Sequence, residues 1–406
     1  MTNKLIYLDN NATTQVDEKV LNSMMPFFKS EYANPSSMYD FAKTSSKAIA
    51  DARVKVKEFF NAESEREILF TSCGSESANT AIKGVLETNK DKRHIITSKV
   101  EHPCVLNVYK KLEKQGYKVD YIGVNYNGEL DLEQLSEAIT DDTALVSIMY
   151  ANNETGVINP ISKIAEIIKS KNPQTKFFVD AVQVAGKIPI DVQTCGVDLM
   201  GISGHKFHAP KGVGALYVNS KTIISPLIIG GHQERGKRAG TENVPYIVGL
   251  GTACEEAQSF LKYEASEVKR LRDKLESGIL KNIFNARLNT GLANRVPNTS
   301  NIGFEYIEGE LILLHLSDLG ICASSGSACT SGSLEPSHVL RAMNVPFTAI
   351  HGSIRFSLSR FNTESEIDYV IDVLPGVIEK IRNLSPYQDE LEALRTQKAA
   401  AGCSCM

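Results

Sequence analysis

Long apolar runs are absent from this sequence of 406 residues. No stretch approaches the ~20 apolar residues that a membrane-spanning helix requires. The first residues, Met1–Leu5, also lack a basic region followed by an apolar run, so we expect no signal peptide. A net charge of −4 and a pI of about 6.1 give no electrostatic reason to expect nucleic acid or an anionic membrane as a partner.

Cysteine pairs with metal-binding or redox spacing are also missing, because the sequence contains no C-x-x-C. In so long a chain without an export signal, a disulfide framework is not expected. We therefore expect reduced cysteines and a cytoplasmic protein, with most of the cysteines buried as small apolar residues. The eight are Cys73, Cys104, Cys195, Cys254, Cys322, Cys329, Cys403 and Cys405.

The length and the ordinary composition, 42% hydrophobic and 23% charged, predict a globular enzyme of two domains. Strands that alternate with helices from about 67 to 217 predict a mostly parallel sheet. A helical pattern follows over 244–282, and the last third of the chain is typical of an α+β unit. We predict a large α/β domain over 16–260 and a small α+β domain made of 1–15 and 261–383. Residues 384–406 are predicted to be a flexible extension.

Two predicted strands of the large domain end in polar residues. The run 176–179 ends on Asp180, and the run 197–202 ends on Ser203. Ligand groups gather at the carboxyl ends of strands in open α/β sheets. Five residues are therefore expected to meet in one crevice: Asp180, Gln183, Ser203, His205 and Lys206.

Lys206 and Asp180 together indicate a specific chemistry. A lysine at a strand end can form a Schiff base with an aldehyde, and a carboxylate can pair with a protonated pyridine nitrogen. Pyridoxal phosphate (PLP) requires both groups. From these two residues alone, a surface lysine and a capping aspartate are an equally good interpretation.

Further candidate site residues also have purely structural interpretations. The turn before Ser77 contains Gly74 and Ser75 and opens a predicted helix, which suits a phosphate but also fits a plain capping turn. The segment 230–243, which includes Thr241, is either a second phosphate clamp or an exposed loop. His102 precedes a proline and should be extended, so its ring could lie over the crevice or be purely structural.

Cys329 lies in a predicted loop, 323–333, made of Ser, Gly, Ala, Thr and Cys. Without a large apolar anchor, this loop is expected to be mobile, and its cysteine could carry a thiol between two places. The alternative is a linker with an incidental cysteine. Arg355, in a predicted strand over 353–357, could bind a substrate carboxylate or form an ion pair between domains.

Ten ordered motifs carry a resemblance to a known family. The chain resembles cysteine desulfurases of the NifS/IscS type from Tyr7 to about Asn383. These are PLP enzymes of the aspartate-aminotransferase-like fold (fold type I). The resemblance implies a large, mostly parallel seven-stranded sheet domain plus a smaller α+β domain. The motifs are Y-L-D-N-N-A-T-T (7–14), N-P-S-S (34–37), F-T-S-x-x-S-E-S (70–77), E-H-P (101–103), N-N-E-x-G (152–156), V-D-A-x-Q (179–183), S-G-H-K (203–206), Q-E-R-G-x-R-x-G-T-E-N (233–243), S-S-G-S-A-C (324–329) and I-R-x-S (354–357).

The resemblance implies a role in holding PLP for ten residues. Lys206 forms the Schiff base and moves the substrate Cα proton. Asp180 pairs with the ring nitrogen, Gln183 bonds the phenolic oxygen, and His102 stacks on the ring. The phosphate is held by Gly74, Ser75, Ser203 and His205, and by Thr241 from the other subunit. Asn153 contacts the cofactor and, with Arg355, the substrate carboxylate.

Cys329 is implied to be the sulfur acceptor. It attacks the sulfur of L-cysteine, which leaves alanine and a Cys329 persulfide, and the persulfide could ligate an iron–sulfur cluster during transfer. The implied partners are a second copy of the chain and an iron–sulfur scaffold protein of the U type. General cluster assembly, nitrogenase and tRNA thiolation all stay open as destinations of the sulfur.

Several points depart from the family pattern or leave alternatives open. Tyr39, Ala42 and Ser359 replace the usual His, Gly and Gly, and the tail lacks the histidine end that docks the scaffold in some relatives. Cys403 and Cys405 could relay sulfur or bind metal, although a disordered tail is the simpler interpretation. A selenocysteine lyase or another class V aminotransferase would not need Cys329. A non-catalytic scaffold would lack Lys206 or Asp180, and both are present.

Overall fold

The fold is described from a computed structural model that covers residues 5–325 and 336–402. Cys329, Cys403 and Cys405 therefore lie outside the described residues. So does most of the Ser/Gly segment that the sequence predicts to be a mobile loop.

The strands are short, and most alternate with helices along the first half of the chain. In chain order they are β1 (Ile6–Tyr7), β2 (Ile68–Thr71), β3 (His94–Ser98), β4 (Lys118–Ile122), β5 (Thr143–Met149), β6 (Lys176–Asp180), β7 (Leu199–Ser203), β8 (Gly214–Val218), β9 (Ala286–Leu288), β10 (Thr299–Phe304), β11 (Ile321–Cys322), β12 (Ser324–Ser325) and β13 (Ser353–Ser357).

The helices range from single turns to rods of 20 residues. In chain order they are α1 (Glu18–Met24), α2 (Pro26–Lys29), α3 (Phe41–Phe60), α4 (Gly74–Glu87), α5 (Pro103–Lys114), α6 (Leu132–Ala138), α7 (Ile161–Lys171), α8 (Val192–Cys195), α9 (Val244–Tyr263), α10 (Lys269–Asn282), α11 (Gly309–Asp318), α12 (His338–Ala342), α13 (Phe347–Ile350), α14 (Glu364–Arg382) and α15 (Gln388–Gly402).

The largest sheet has seven strands in the order β2-β8-β7-β6-β5-β3-β4. Strand β8 runs antiparallel to both of its neighbours, and the other neighbouring pairs are parallel. Six strands therefore share one direction, and their carboxyl ends lie along one edge. This confirms the predicted large, mostly parallel sheet.

Strand β6 shows why the strands of this sheet are continuously apolar and do not alternate between apolar and polar residues. Phe177 and Phe178 point to opposite faces, and both are buried, in two different hydrophobic clusters. Helices cover both faces, as is usual for parallel sheets. Each phenyl ring contributes roughly 1.5–3 kcal/mol to stability through its burial.

A second unit follows the large sheet in the chain. Strands β12-β13-β10-β9 form an antiparallel sheet, and β1 pairs in parallel with β11. Their buried residues form a separate cluster with α10, α11 and α14. The N-terminal strand thus packs with the C-terminal third of the chain. The predicted domain boundaries stay a prediction, but the change of cluster occurs between Ala257 and Val268.

One continuous helical segment spans the boundary between the two hydrophobic clusters. A π-helical turn, Glu264–Val268, joins α9 to α10 without a break. The sequence predicts one long helix over 244–282, and the structure agrees except for this wider turn.

Two local predictions differ from the structure. The helix predicted to begin at Ser77 begins at Gly74, because Cys73 takes an extended conformation and serves as its N-cap residue. The extension over 384–406 contains α15, where no helix is predicted, and its predicted flexibility stays a prediction. Its sequence is rich in Ala, Glu, Leu and Gln, which have high helix propensity.

Within residues 5–325 and 336–402, every helix is too short or too polar to cross a membrane.

Candidate active site

The carboxyl edge of the large sheet bears a cleft of about 340 Å³. Met149, Asp180 and Ser203 end the adjacent strands β5, β6 and β7, so the parallel register alone brings them to one place. The cleft contains all five residues predicted from the strand ends. It also contains other predicted site residues, namely Gly74, Ser75, His102, Asn153 and Arg355.

Lys206 ends a short 3₁₀ turn, Gly204–Lys206, directly after β7. Its Nζ donates hydrogen bonds to the backbone carbonyls of Asn11 and Ala12, both at 2.7 Å. These carbonyls belong to a segment almost two hundred residues away. They hold the amine at the cleft wall, where it could react with a carbonyl carbon.

Asp180 ends β6 and is 7% exposed. Its Oδ1 accepts from the backbone N–H of Val182 at 3.0 Å. Burial raises the pKa of Asp180 to about 6, while the Val182 hydrogen bond and the charge of Lys206 act in the opposite direction. A cationic ring nitrogen beside this carboxylate would favour its ionised form further.

Gln183 lies just beyond β6 and is 4% exposed. Its Nε2 donates to the carbonyl of Asn11 at 3.1 Å, and its Oε1 accepts from Nζ of Lys187 at 3.0 Å. Both ends of the carboxamide therefore have a partner, and its orientation is fixed.

His102 is the N-cap residue of α5 and has the extended backbone that the following proline predicts. Burial, together with the charges of Lys206 and His338, lowers its pKa to about 4. The imidazole is therefore neutral at pH 7. A neutral ring is suited to stacking or to proton exchange rather than to charge pairing.

Helix α4 points its N-terminus at the cleft. Within the described chain, no side chain caps that end, and Gly74 and Ser75 are its first residues. A Cβ on Gly74 would meet Val182 Cγ2 at 2.9 Å, so only glycine lets the backbone approach this closely. Exposed N–H groups and the positive helix end suit an anion such as phosphate.

Ser203 and His205 lie opposite α4, on either side of Gly204. His205 Nδ1 lies 3.1 Å from Thr13 Oγ1. Burial and the charges of Lys206 and Lys211 lower the pKa of His205 to about 4. A neutral imidazole and a hydroxyl can both donate hydrogen bonds to a phosphate.

Arg355 lies in the middle of β13 and reaches the cleft from the second unit. Its Nη1 donates to the carbonyl of Asn153 at 2.9 Å, and its Nη2 pairs with Asp9 at 2.7 Å. Among the described residues, Nε of Arg355 and Oδ1 of Asn153 are buried without a partner. These two atoms are available to a bound molecule.

One predicted site residue is not at this cleft. Thr241 is exposed and lines a separate cavity of about 180 Å³ with Arg238 and Glu242. Another predicted site residue, Cys329, lies outside the described residues.

The sequence prediction missed several residues that line the cleft. Asn11 and Ala12 carry the carbonyls that hold Lys206. The thiol of Cys104 lies 3.9 Å from Asp180 Oδ2, and burial, followed by the charges of Asp180 and Glu101, raises the pKa of that thiol. Cys73, Met149 and Val182 complete the wall. Asn11 and Ala12 fall within the first quoted motif, but their contact with Lys206 had no signal in the sequence.

Metal ligation has no support in the described part of the chain, because no group of three or more His, Cys, Asp or Glu residues there could hold an ion.

Comparison with known proteins places the chain in a family. The family model described as Aminotransferase class-V matches residues 6–370. The chain belongs to the class-V aminotransferase family. This agrees with the resemblance that the motifs carry.

Within the class-V aminotransferase family, the relatives are cysteine desulfurases by name. A protein named cysteine desulfurase from Nostoc sp. is 55% identical over 395 residues, which cover 97% of this chain and 98% of the relative. Cysteine desulfurase NifS of Azotobacter vinelandii is 51% identical over 382 residues, with 94% of each chain covered. The predicted similarity to the NifS/IscS type is confirmed.

Solved structures agree with these relatives. A structure named NifS-like protein superimposes with a TM-score of 0.87 and 42% identity, over 93% of this chain and all of that chain. Another, titled SspA in complex with cysteine, gives a TM-score of 0.77 and 36% identity over 88% of this chain. The predicted fold class is therefore confirmed.

Proposed function

We propose that the protein is a PLP-dependent L-cysteine desulfurase, a sulfurtransferase that releases L-alanine. The observation that carries the proposal is the placement of Lys206, Asp180 and the open N-terminus of α4 around one cleft. An amine, a carboxylate and an anion site are what PLP requires of its protein. The names of the relatives support L-cysteine as the substrate.

The residues present fit the cofactor. A Cβ on Gly74 would lie 2.9 Å from Val182 Cγ2, so glycine is needed in the first turn of α4, and Asn153 Oδ1 is a buried acceptor without a partner in the described chain. Gly74, Ser75, Ser203 and His205 would hold the phosphate, Asp180 the ring nitrogen and Gln183 the phenolic oxygen. When bound, PLP withdraws electrons from the substrate Cα.

The chain's own groups supply the other requirements. Lys206 is the amine that links the cofactor and then moves the Cα proton. His102 covers the ring and, being neutral, exchanges protons at Nε2. Arg355, through its unpartnered Nε, and Asn153, through its amide Nδ2, bind the substrate carboxylate.

Sulfur transfer is assigned to Cys329. Its thiolate attacks the substrate sulfur, so a sulfur–sulfur bond forms while the carbon–sulfur bond breaks. The electron pair of the broken bond goes to the substrate Cβ, which then takes up a proton. The products are L-alanine and the Cys329 persulfide, and a second thiol afterwards takes the terminal sulfur.

The decisive experiment compares wild type, Cys329→Ala and the matched control Cys322→Ala, another cysteine of the same region. We expect all three to turn yellow with PLP. Only wild type and Cys322→Ala should make alanine and sulfide from L-cysteine in the presence of a thiol reductant.

Other outcomes would change the assignment. Full activity in Cys329→Ala would favour a selenocysteine lyase or another class-V aminotransferase. A colourless wild type after PLP addition would remove the Schiff-base role of Lys206 and favour a non-catalytic scaffold.

The active form is proposed to be a cytoplasmic homodimer in which Thr241 completes the partner's phosphate site. Thr241 is exposed and lines a cavity separate from the cleft of its own chain, which supports this arrangement. Mixed dimers of Lys206→Ala and Thr241→Val test it. If Thr241 acts across the interface, one site of each mixed dimer carries both changes and the other carries neither, so activity returns. If it acts within its own chain, no mixed dimer regains activity.

The sulfur acceptor is proposed to be an iron–sulfur scaffold protein of the U type, and Cys329 would touch the cluster's sulfur only during transfer. The NifS and IscS names of relatives support this destination. Transfer of radiolabelled sulfur from the loaded enzyme to the scaffold's cysteines would test it, with a thiolation enzyme for tRNA as the competing acceptor.

A further inference from the structure

Lys187 is a buried lysine next to the cleft with no role in the proposed chemistry. It lies four residues after Gln183 in a turn segment and is 6% exposed. Its Nζ donates to the backbone carbonyl of Gln183 and to the side-chain Oε1 of the same residue, both at 3.0 Å. Burying a lysine is costly, so a lysine retained here needs a compensating contact.

The contact with Lys187 decides which way the carboxamide of Gln183 faces. Up to its pKa of about 7, Lys187 is protonated and only donates, so it requires the carboxamide oxygen on its side. At the other end, the carbonyl of Asn11 only accepts, so it requires the nitrogen. Nε2 carries a second hydrogen, and Gln183 lines the cleft, so the carboxamide offers a donor to a bound molecule there.

Charged groups of the cleft affect the ionisation of Lys187. Burial and the charges of Lys206 and Arg355 lower its pKa to about 7, while Glu264 of the π-helical turn acts in the opposite direction. Lys187 and Glu264 line a cavity of about 20 Å³ together with His208 and Arg360. That is roughly the room that one water molecule needs to bridge them.

We propose that Lys187 is a positioning residue that turns the Nε2–H of Gln183 toward the phenolic oxygen of bound PLP. The inference rests on the proposed function, since it concerns the cofactor assigned to this cleft. A hydrogen bond donated to that oxygen stabilises its negative charge. The nitrogen that joins Lys206 to the cofactor then becomes less basic, and the visible absorption of the bound cofactor changes at a lower pH.

The test is a pH titration of visible absorbance on the PLP-loaded wild type, Lys187→Met and Lys187→Arg. We expect Lys187→Met to raise the midpoint by about one pH unit, the size of one lost charge-assisted hydrogen bond. Lys187→Arg keeps donors and should restore part of the shift. The matched control is Lys176→Met, which removes a lysine at the far end of β6 that pairs with Asp198 at 3.2 Å. It should titrate like wild type.

A double variant separates positioning from simple charge. In a Gln183→Leu background, Lys187→Met should cause no further shift, because its effect passes through the carboxamide. An equal shift in that background would show that the charge of Lys187 acts directly and would overturn the proposal. An unshifted midpoint in Lys187→Met alone would overturn it as well.

Two controls keep the outcomes distinct. Thermal unfolding of each cofactor-free variant reports whether the fold is intact. If Lys187→Met does not fold, Lys187→Gln replaces it, and a smaller shift in the same direction is expected. A wild type that shows no visible band with PLP would contradict the proposed function and not the role of Lys187.

Discussion

The imidazole of His102 accepts, at Nδ1, a hydrogen bond of 3.2 Å from the backbone N–H of Cys104. The neutral ring must therefore carry its proton on Nε2. Because the pKa of His102 is lowered to about 4, this tautomer persists through the neutral pH range.

This relationship predicts the nuclear magnetic resonance spectrum of His102. In protein with ¹⁵N-labelled histidine, its Nε2 should give a protonated signal and its Nδ1 an unprotonated one from pH 5.5 to 8. The His102→Gln variant identifies the signals by their loss. Proton uptake at Nδ1 between pH 6 and 7 would contradict the lowered pKa, and a protonated Nδ1 beside an unprotonated Nε2 would contradict the tautomer.

Glu101 predicts a pH dependence of stability. It is fully buried, its Oε2 has no partner in the described chain, and burial raises its pKa to about 8. The folded chain therefore keeps the proton that the unfolded chain releases near pH 4.5. The stability contributed by Glu101 is complete below pH 4.5 and is lost as pH rises toward 8.

Replacement of Glu101 by Gln should remove this dependence. Between pH 5 and 8, the free energy of unfolding of wild type should fall relative to that of Glu101→Gln by up to about 1.4 kcal/mol per pH unit. Urea unfolding at four pH values measures it. The exposed Glu255, changed to Gln, is the control and should give a constant difference. A constant difference for Glu101→Gln too would refute the prediction.

Ser337 connects two elements through its hydroxyl. As the N-cap residue of α12 it accepts from the backbone N–H groups of Val339 and Leu340, and it donates to Glu154 Oε2 at 2.6 Å. Ser337→Ala should cost roughly 2–4 kcal/mol, since it loses a cap and leaves a buried carboxylate without its donor.

A double-mutant cycle with Glu154→Leu, which removes the acceptor, checks this contact. Urea unfolding should give a coupling energy of about 1 kcal/mol or more. Ser337→Thr keeps the hydroxyl and should stay close to wild type. Additive losses from the two single changes would show that the hydrogen bond carries no stability.

Arg355 predicts a change in substrate binding. A lysine cannot offer a donor to the substrate while it keeps the contacts that Arg355 makes with Asn153 and Asp9. Arg355→Lys should therefore raise the KM for L-cysteine by about tenfold or more, with a smaller effect on kcat. The control is Arg360→Lys. Arg360 pairs with Asp17 at 2.6 Å and lines the small cavity instead of the cleft. Steady-state kinetics with an unchanged KM for Arg355→Lys would exclude it as the carboxylate ligand.

The sequence predicted the parts of the site that depend on strand direction. Asp180 and Ser203 follow continuous apolar runs, and parallel strands bring such ends together. It could not predict that Asn11 and Ala12 hold Lys206, because that contact joins segments almost two hundred residues apart. Nor could it predict the start of α4, since Cys73 lacks the polar side chain that usually marks an N-cap.

The second unit was predicted less completely. Strand β13 and helix α14 follow from clear apolar patterns, and their bounds agree closely with the expected ones. The pairing of β1 with β11 had no sequence signal, because two-residue strands are too short to show a period. The helix in the C-terminal extension was missed because its apolar residues are too few to form a regular stripe.

The π-helical turn between α9 and α10 has a geometric consequence. In an α-helix each residue advances by about 100°, so a turn that holds one residue more rotates everything after it by about that angle. The helical segment thus presents Ala257 to one hydrophobic cluster and Leu271 and Leu275 to the other. The wider turn therefore changes the direction in which the apolar side chains of the following helix face. Loss of a single residue from it would turn a correctly folded helix to the wrong face.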